Sequence, residues 1–194
     1  MRVFVALDID QAIRERIRQF VSDLHRHAPD VRFVGPETYH ITLKFLGESS
    51  RVDEIKHLLA SVRASSVDLR FGGTGFFPAA KNARVFWAGI HAGPELAALQ
   101  SAVESALSPL GFEREKGPYH PHLTLARSGS GRPRNAPGDK ADPRFQRIQE
   151  RLSALPEPEF GTMTAREFFL YESRLSPRGA QYLKLQRFPL DERL

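Results

Sequence analysis

The chain has no cysteine among its 194 residues. Disulfide staples, thiolate nucleophiles and cysteine-ligated zinc are therefore excluded together, and the composition suits a reducing compartment. No apolar run approaches the roughly 18 residues that a membrane-spanning helix needs. The segment 1–7 is apolar but short, and Asp8 and Asp10 interrupt it, so it lacks the form of a signal peptide. A cytoplasmic protein with no membrane partner is expected. Acidic residues are the scarcer charge, 23 against 28 Lys and Arg, and the net charge of +5 favours a polyanionic partner. The remaining composition, 41 % hydrophobic and 26 % charged, is that of a globular protein able to build one substantial core or two small intertwined lobes.

Hydrophobic periodicity divides the chain into alternating strands and helices. Residues 2–9 read as a strand, and 11–27 as a helix whose stripe is Ile13, Ile17, Phe20, Val21 and Leu24, with Asp10 as N-cap. A short strand is expected at 31–34, a longer one at 39–46 stopped by Gly47, and a helix at 52–64. Strands follow at 67–77 and 83–91, separated by a basic loop. The second half repeats this order: a helix at 94–110 ended by Gly111, a strand at 120–126, a helix at 145–155 and closing strands at 159–164, 165–171 and 181–188. Between them, 128–143 is too rich in Gly, Pro and polar residues to pack, and a long mobile loop is expected.

Two of these strands carry the same tetrad, His40-Ile41-Thr42-Leu43 and His122-Leu123-Thr124-Leu125. Side chains at i and i+2 leave the same face of a strand, so each tetrad presents a His and a Thr together and sends its aliphatic residues the other way. One H-x-T is common by chance; two, each approached through a proline and a tyrosine (Pro36 and Tyr39, Pro118 and Tyr119), are not. The repeat suggests two lobes related by an approximate two-fold axis, with mainly antiparallel sheets, helices on the outer faces and both tetrads in a central groove. No linker separates the lobes, so residues 1–194 are expected to form a single domain.

Two imidazoles suit a reaction in which one group takes a proton and another delivers one, because the ordinary His pKa of about 6.5 keeps both forms accessible. Thr42 and Thr124 offer hydroxyl donors for the non-bridging oxygens of a phosphate. Arg127 adds a fixed positive charge, but on an ideal strand it points away from His122 and Thr124. Its use requires the strand to end or bulge near Ala126.

These segments resemble the 2H phosphoesterases, and within them the RNA 2',3'-cyclic phosphodiesterases also called 2'-5' RNA ligases. The resemblance runs from FVALDI through HITLKFLG, FFP, VFWAGI and HPHLTLAR to ESRLSPRGAQYLKL. It implies a bilobal α+β fold, no metal or other cofactor, and an RNA or nucleotide substrate ending in a 2',3'-cyclic phosphate. By that resemblance His40 is the proton donor to the leaving ribose oxygen and His122 the base that activates water, although the two roles are exchangeable. Thr42, Thr124 and Arg127 then hold the phosphate, the product keeps a 2'-phosphate, and the reverse reaction joins RNA ends through a 2'-5' linkage. A nucleotide- or RNA-binding module with the same pocket and no turnover is the alternative.

Other residues compete for roles. His120 and His122 form an H-x-H pair, but no third ligand stands at a typical zinc spacing. His120 is expected to support His122, and His25, His27, His57 and His91 to be bystanders. Lys44, in phase with Thr42, either lines the groove or is a solvated strand-end charge. Phe76, Phe77, Trp87 and Tyr171 are expected mostly in the core, with Phe77, beside Pro78, Lys81 and Arg84, the first choice to stack on a base. Arg132, Arg134 and Lys140 of the loop are candidates for backbone contacts. Because the two-fold arrangement lies within one chain, a monomer is expected.

Overall fold

A computed structural model describes residues 1–128, 142–177 and 179–192. Among the described residues the elements are β1 (Arg2–Leu7), α1 (Gln11–His27), β2 (Ile41–Glu48), α2 (Val52–Leu59), β3 (Val67–Phe77), β4 (Val85–Ala92), α3 (Pro94–Leu107), β5 (His122–Arg127), α4 (Pro143–Ser153), β6 (Glu159–Ala165), β7 (Glu167–Ser176) and β8 (Gly179–Pro189). They build two antiparallel sheets of four strands, in the orders β2-β1-β7-β8 and β5-β4-β3-β6. The helices are peripheral: α1 packs on α4 and β6, and α3 on α2 and β2. No described helix is long and apolar enough to cross a membrane.

The internal repeat differs from a half-and-half division of the chain. The matching units are β1-α1-β2 and β4-α3-β5, each a pair of antiparallel strands joined over a helix. The hairpin β7-β8, from the end of the chain, returns to complete the first sheet. Both tetrad strands, β2 and β5, thereby become edge strands, and the two edges lie alongside each other. One apolar core runs beneath both sheets, from Val5 and Ile41 to Phe86 and Leu123. A second, small cluster of Phe4, Ala6, Phe169 and Tyr171 covers the opposite face of the first sheet.

Several local expectations need correction. Helix α1 buries Ile13, Ile17, Val21 and Leu24 as its spacing requires, but the Asp10 side chain makes no capping bond; its main-chain carbonyl accepts from Arg14 N at 3.0 Å. Residues 31–34 make no strand, only a bridge from Phe33 to Ala126 and a bond from Val34 N to Leu125 O. Helix α2 stops at Leu59, five residues short of 64. There the amides of Ser61 and Val62 bond three residues back, and the Ser61 hydroxyl and Arg63 guanidinium take the last carbonyls. Gly47 does not end β2. It pairs with Val3 in a left-handed conformation (φ +76°) that glycine adopts without cost, and the strand continues to Glu48. Residues 129–141, with Arg132, Arg134 and Lys140, lie outside the described residues.

Candidate active site

Each tetrad carries the same irregularity. In β2, Thr42 pairs with Ala6 and Lys44 with Val5, leaving Leu43 as an extra residue; in β5, Thr124 pairs with Trp87 and Ala126 with Phe86, leaving Leu125 extra. These are β-bulges, and beyond a bulge the alternation of faces reverses. Burial follows suit and is the same in both copies: the His and Thr are half-buried, the next-residue aliphatics and the residue after the bulge are buried, and the following residue is exposed. Arg127 therefore emerges on the face of His122 and Thr124, opposite Val85, with its guanidinium 3.4 Å from the Thr124 hydroxyl. That is the bulge its role requires.

Lys44 obeys the same reversal and lies in neither of the two expected places. It is turned into the interior, 3 % exposed, where its ammonium donates to the Glu104 carboxylate at 2.8 Å and to the Glu113 carbonyl at 2.7 Å. Gln100 donates to the other oxygen of Glu104.

The imidazoles are held alike. Pro36–Thr38 forms one 3-10 turn, and the buried Tyr39 anchors the chain after it, so that His40 Nδ1 lies 2.6 Å from the Thr38 carbonyl. His122 Nδ1 lies 2.8 Å from the carbonyl of His120. A carbonyl accepts only, so each Nδ1 carries the hydrogen and each Nε2 is left with its lone pair in the neutral ring. His40 Nε2 stands 3.0 Å from Thr42 Oγ1, whose hydroxyl donates to it. His120 thus serves His122 through its backbone. Among the bystanders, His27 and His91 bond to main-chain carbonyls and His25 lies edge-on to Phe33.

Aromatic rings wall both imidazoles. Phe4 lies 4.9 Å and Tyr182 5.1 Å from His40, the latter edge-on; Phe77 stands edge-on at 4.9 Å from His122, with Trp87 behind it. Gly75, paired with Trp87, has no side chain because the indole occupies that place: a Cβ there would lie 2.2 Å from Trp87 Cζ2. Burial lowers the pKa of His40 to about 4; its Thr38 hydrogen bond opposes the shift, and the charges of Arg127 and His122 reinforce it. His122 is also lowered, first by burial and further by Arg127 and His120. The edge strands β2 and β5 lie alongside each other, which places the two half-sites in one groove. The two are also bonded, since the Tyr119 hydroxyl donates to the Thr42 carbonyl at 2.9 Å.

Sequence reasoning missed Phe4, Tyr182 and the Tyr119 bond. Phe4 was discoverable, since pairing the first strand antiparallel to the first tetrad puts it on the groove face. Tyr182 gave no signal, because only the return of the terminal hairpin brings it there. Among the described residues no three His, Cys, Asp or Glu side chains gather as a metal site. The groove combines two fixed imidazoles, two hydroxyls and one guanidinium, a set fitted to proton transfer at a phosphate ester.

A family model described as the 2'-5' RNA ligase superfamily matches residues 9–170. The RNA 2',3'-cyclic phosphodiesterase of Archaeoglobus fulgidus is 34 % identical over 97 % of this chain and 99 % of its own; that of Methanocaldococcus jannaschii is 32 % identical over 94 % and 96 %. Among solved structures, Escherichia coli LigT complexed with 3'-AMP superposes with a TM-score of 0.75 at 26 % identity, covering 97 % of each chain. The same protein has been solved with NADP+, ATP and phosphate.

Proposed function

The chain belongs to the 2'-5' RNA ligase superfamily, and on that premise we propose how its groove works as an RNA 2',3'-cyclic phosphodiesterase. The substrate is RNA or a nucleotide ending in a 2',3'-cyclic phosphate, and the products are a 2'-phosphate and a free 3'-hydroxyl. Water attacks phosphorus in line with the 3' oxygen. His122 Nε2 takes the proton of the water as the new P–O bond forms, and His40 Nε2 delivers a proton to O3' as the P–O3' bond breaks. Thr42, Thr124 and Arg127 hold the non-bridging oxygens and meet the charge that builds on them. No metal takes part in these steps.

The observation that carries this reading is the duplicated Nδ1–carbonyl clamp, which fixes the same tautomer in both rings and turns each Nε2 to the groove. Burial strips His40 of its proton in the free protein. The anionic phosphate, seated beside it, restores the charged form, so the acid is loaded in the complex. If the 5'-hydroxyl of a second RNA replaces water, His122 takes the proton of that hydroxyl, His40 again protonates O3' as the P–O3' bond breaks, and the product is a 2'-5' linkage.

The nucleotide and phosphate complexes of E. coli LigT support a nucleotide-sized site. The continuous core supports residues 1–194 acting as one domain, and the internal repeat, which supplies both half-sites from one chain, supports a monomer. The test is a short RNA with a 2',3'-cyclic phosphate end, incubated with the protein in EDTA and followed by phosphorus NMR and mass. A 2'-phosphate end is expected, and His40→Ala or His122→Ala should each lower kcat by about 10²–10⁴-fold, the usual worth of a general acid or base. Turnover that returns only with a divalent metal, or a fully active His40→Ala variant, overturns the mechanism. Binding without turnover favours the module reading.

A further inference from the structure

Arg14 stands beside Ile13 of the buried stripe of α1, and its side chain is only 15 % exposed. An enclosed guanidinium needs acceptors for a rigid fork of donors, and those of Arg14 lie on two segments. On one side Nη2 donates to the Asp8 carboxylate at 2.7 Å and to the Ile9 carbonyl at 3.5 Å, just past the end of β1. On the other, Nη1 donates to the carbonyls of Pro36 and Tyr39, on the approach to β2. Asp8 is held in turn by the Lys184 ammonium of β8 and by the Ile9 amide at 2.9 Å.

The two carbonyls that Arg14 takes on the approach lie on either side of Thr38, whose own carbonyl accepts from His40 Nδ1. Thr38 is buried, and its amide and hydroxyl both donate to the Gly35 carbonyl, at 2.9 and 2.7 Å. The turn is thus closed on itself by Thr38 and tied down to α1 and β1 by Arg14. The second clamp is anchored differently: the approach to His122 is held by the Tyr119 hydroxyl on the Thr42 carbonyl. The internal two-fold therefore matches the clamps and not what supports them.

We propose that Arg14 is a positioning residue for the proton donor: its fork, seated on Asp8, sets the carbonyl of Thr38 and through it the tautomer and direction of the His40 ring. The proton that His40 gives to O3' leaves from Nε2, so the ring ends neutral with its hydrogen on Nδ1, the form from which the Thr38 carbonyl accepts. A clamp already in place makes that end state the favoured one. A guanidinium suits the task where an ammonium does not, because one plane of donors spans both carbonyls of the turn and the carboxylate at once. The Asp8 charge has a second effect, since it opposes the burial that discharges His40.

This inference rests on the phosphodiesterase reading above, but its first test needs no turnover. The nitrogen shifts of both imidazoles are read by proton–nitrogen NMR at about pH 8, well above the ordinary His pKa. In the wild type both rings should carry the hydrogen on Nδ1. In Arg14→Ala, and in Arg14→Lys, which keeps the cation and loses the fork, His40 should become a mixture of the two tautomers while His122 stays as it is. With adenosine 2',3'-cyclic phosphate, kcat should fall about 10–100-fold, the cost of a small misplacement of a reacting group. KM should change less than about threefold, because Thr42, Thr124 and Arg127 still hold the phosphate. A His40 ring that keeps its hydrogen on Nδ1 in the variants, a change shared equally by His122, or full recovery of kcat in Arg14→Lys overturns the assignment. If Arg14→Ala does not fold, Arg14→Lys decides alone. If the wild type leaves the cyclic phosphate intact, it is the phosphodiesterase reading that fails, and the tautomers still judge the support of His40.

Discussion

His40 shows what a buried imidazole does to the whole protein. Its folded pKa is near 4 and its unfolded value near 6.5, so the unfolded chain binds this proton more readily. Stability associated with the neutral ring is therefore fully present above about pH 6.5 and is lost as the pH falls toward 4. The difference corresponds to about 3 kcal/mol at the acid end. His122 contributes in the same direction. Chemical denaturation at a series of pH values from 7 to 4 should show His40→Gln losing distinctly less stability than the wild type over that window. Parallel losses in the two proteins would mean that the ring is not desolvated as its surroundings indicate. The tetrads that hold these rings were plain in the sequence, since their duplication needs no tertiary information. Their pKa values were not, because Phe4 and Tyr182 come from strands remote in the chain.

At the scale of elements, the strands work through their irregularities. Helices and strands were legible wherever an apolar stripe met a partner: β3 has the expected limits, and α1 buries four of the five residues of its expected stripe. The bulges at Leu43 and Leu125 were not legible, because H-x-T-L reads as regular alternation and nothing local marks the extra residue. Only the awkward position of Arg127 pointed to one of them. Lys44 was misplaced for the same reason. Gly75 is a second device invisible to periodicity: it makes room for the indole that backs Phe77 and His122. Gly75→Ala should displace that indole, with a loss of roughly 1–3 kcal/mol, as overpacking at a close contact does. Trp87 is the sole tryptophan, so its fluorescence reports the shift directly. Activity should fall with it, and an unchanged emission spectrum with full activity would show that the indole does not depend on this gap.

At the scale of the molecule, the separation of the half-sites is the quantity the fold has to hold. Each H-x-T pair belongs to a different sheet, and one sheet is assembled from both ends of the chain. The bonds that cross the seam are therefore informative. Tyr119, on the approach to the second tetrad, donates to the backbone of the first, and Lys44 of β2 reaches Glu104 of α3, the helix between β4 and β5. The Lys44–Glu104 pair is almost fully enclosed, with side chains 2 % and 5 % exposed. A buried ion pair is poor evidence for stability, because removing two charges from water costs much of what their attraction returns. At the matching place in the second tetrad stands Ala126, buried and apolar, so the strand does not need a charge there to pack. The pair instead fixes where β2 sits against α3. Removing one partner, in Lys44→Met or Glu104→Leu, should cost about 3–5 kcal/mol by stranding the other charge, whereas the double variant should recover most of that loss. Turnover should not recover with it, since an apolar contact tolerates sliding that a hydrogen-bonded pair forbids, and a small displacement of His40 against His122 is costly to a reaction needing both. Melting curves and kcat measured on the three variants separate the two effects. A double variant restored in both would mean that the pair holds the fold alone, and that Tyr119 and the core suffice to keep the half-sites in register.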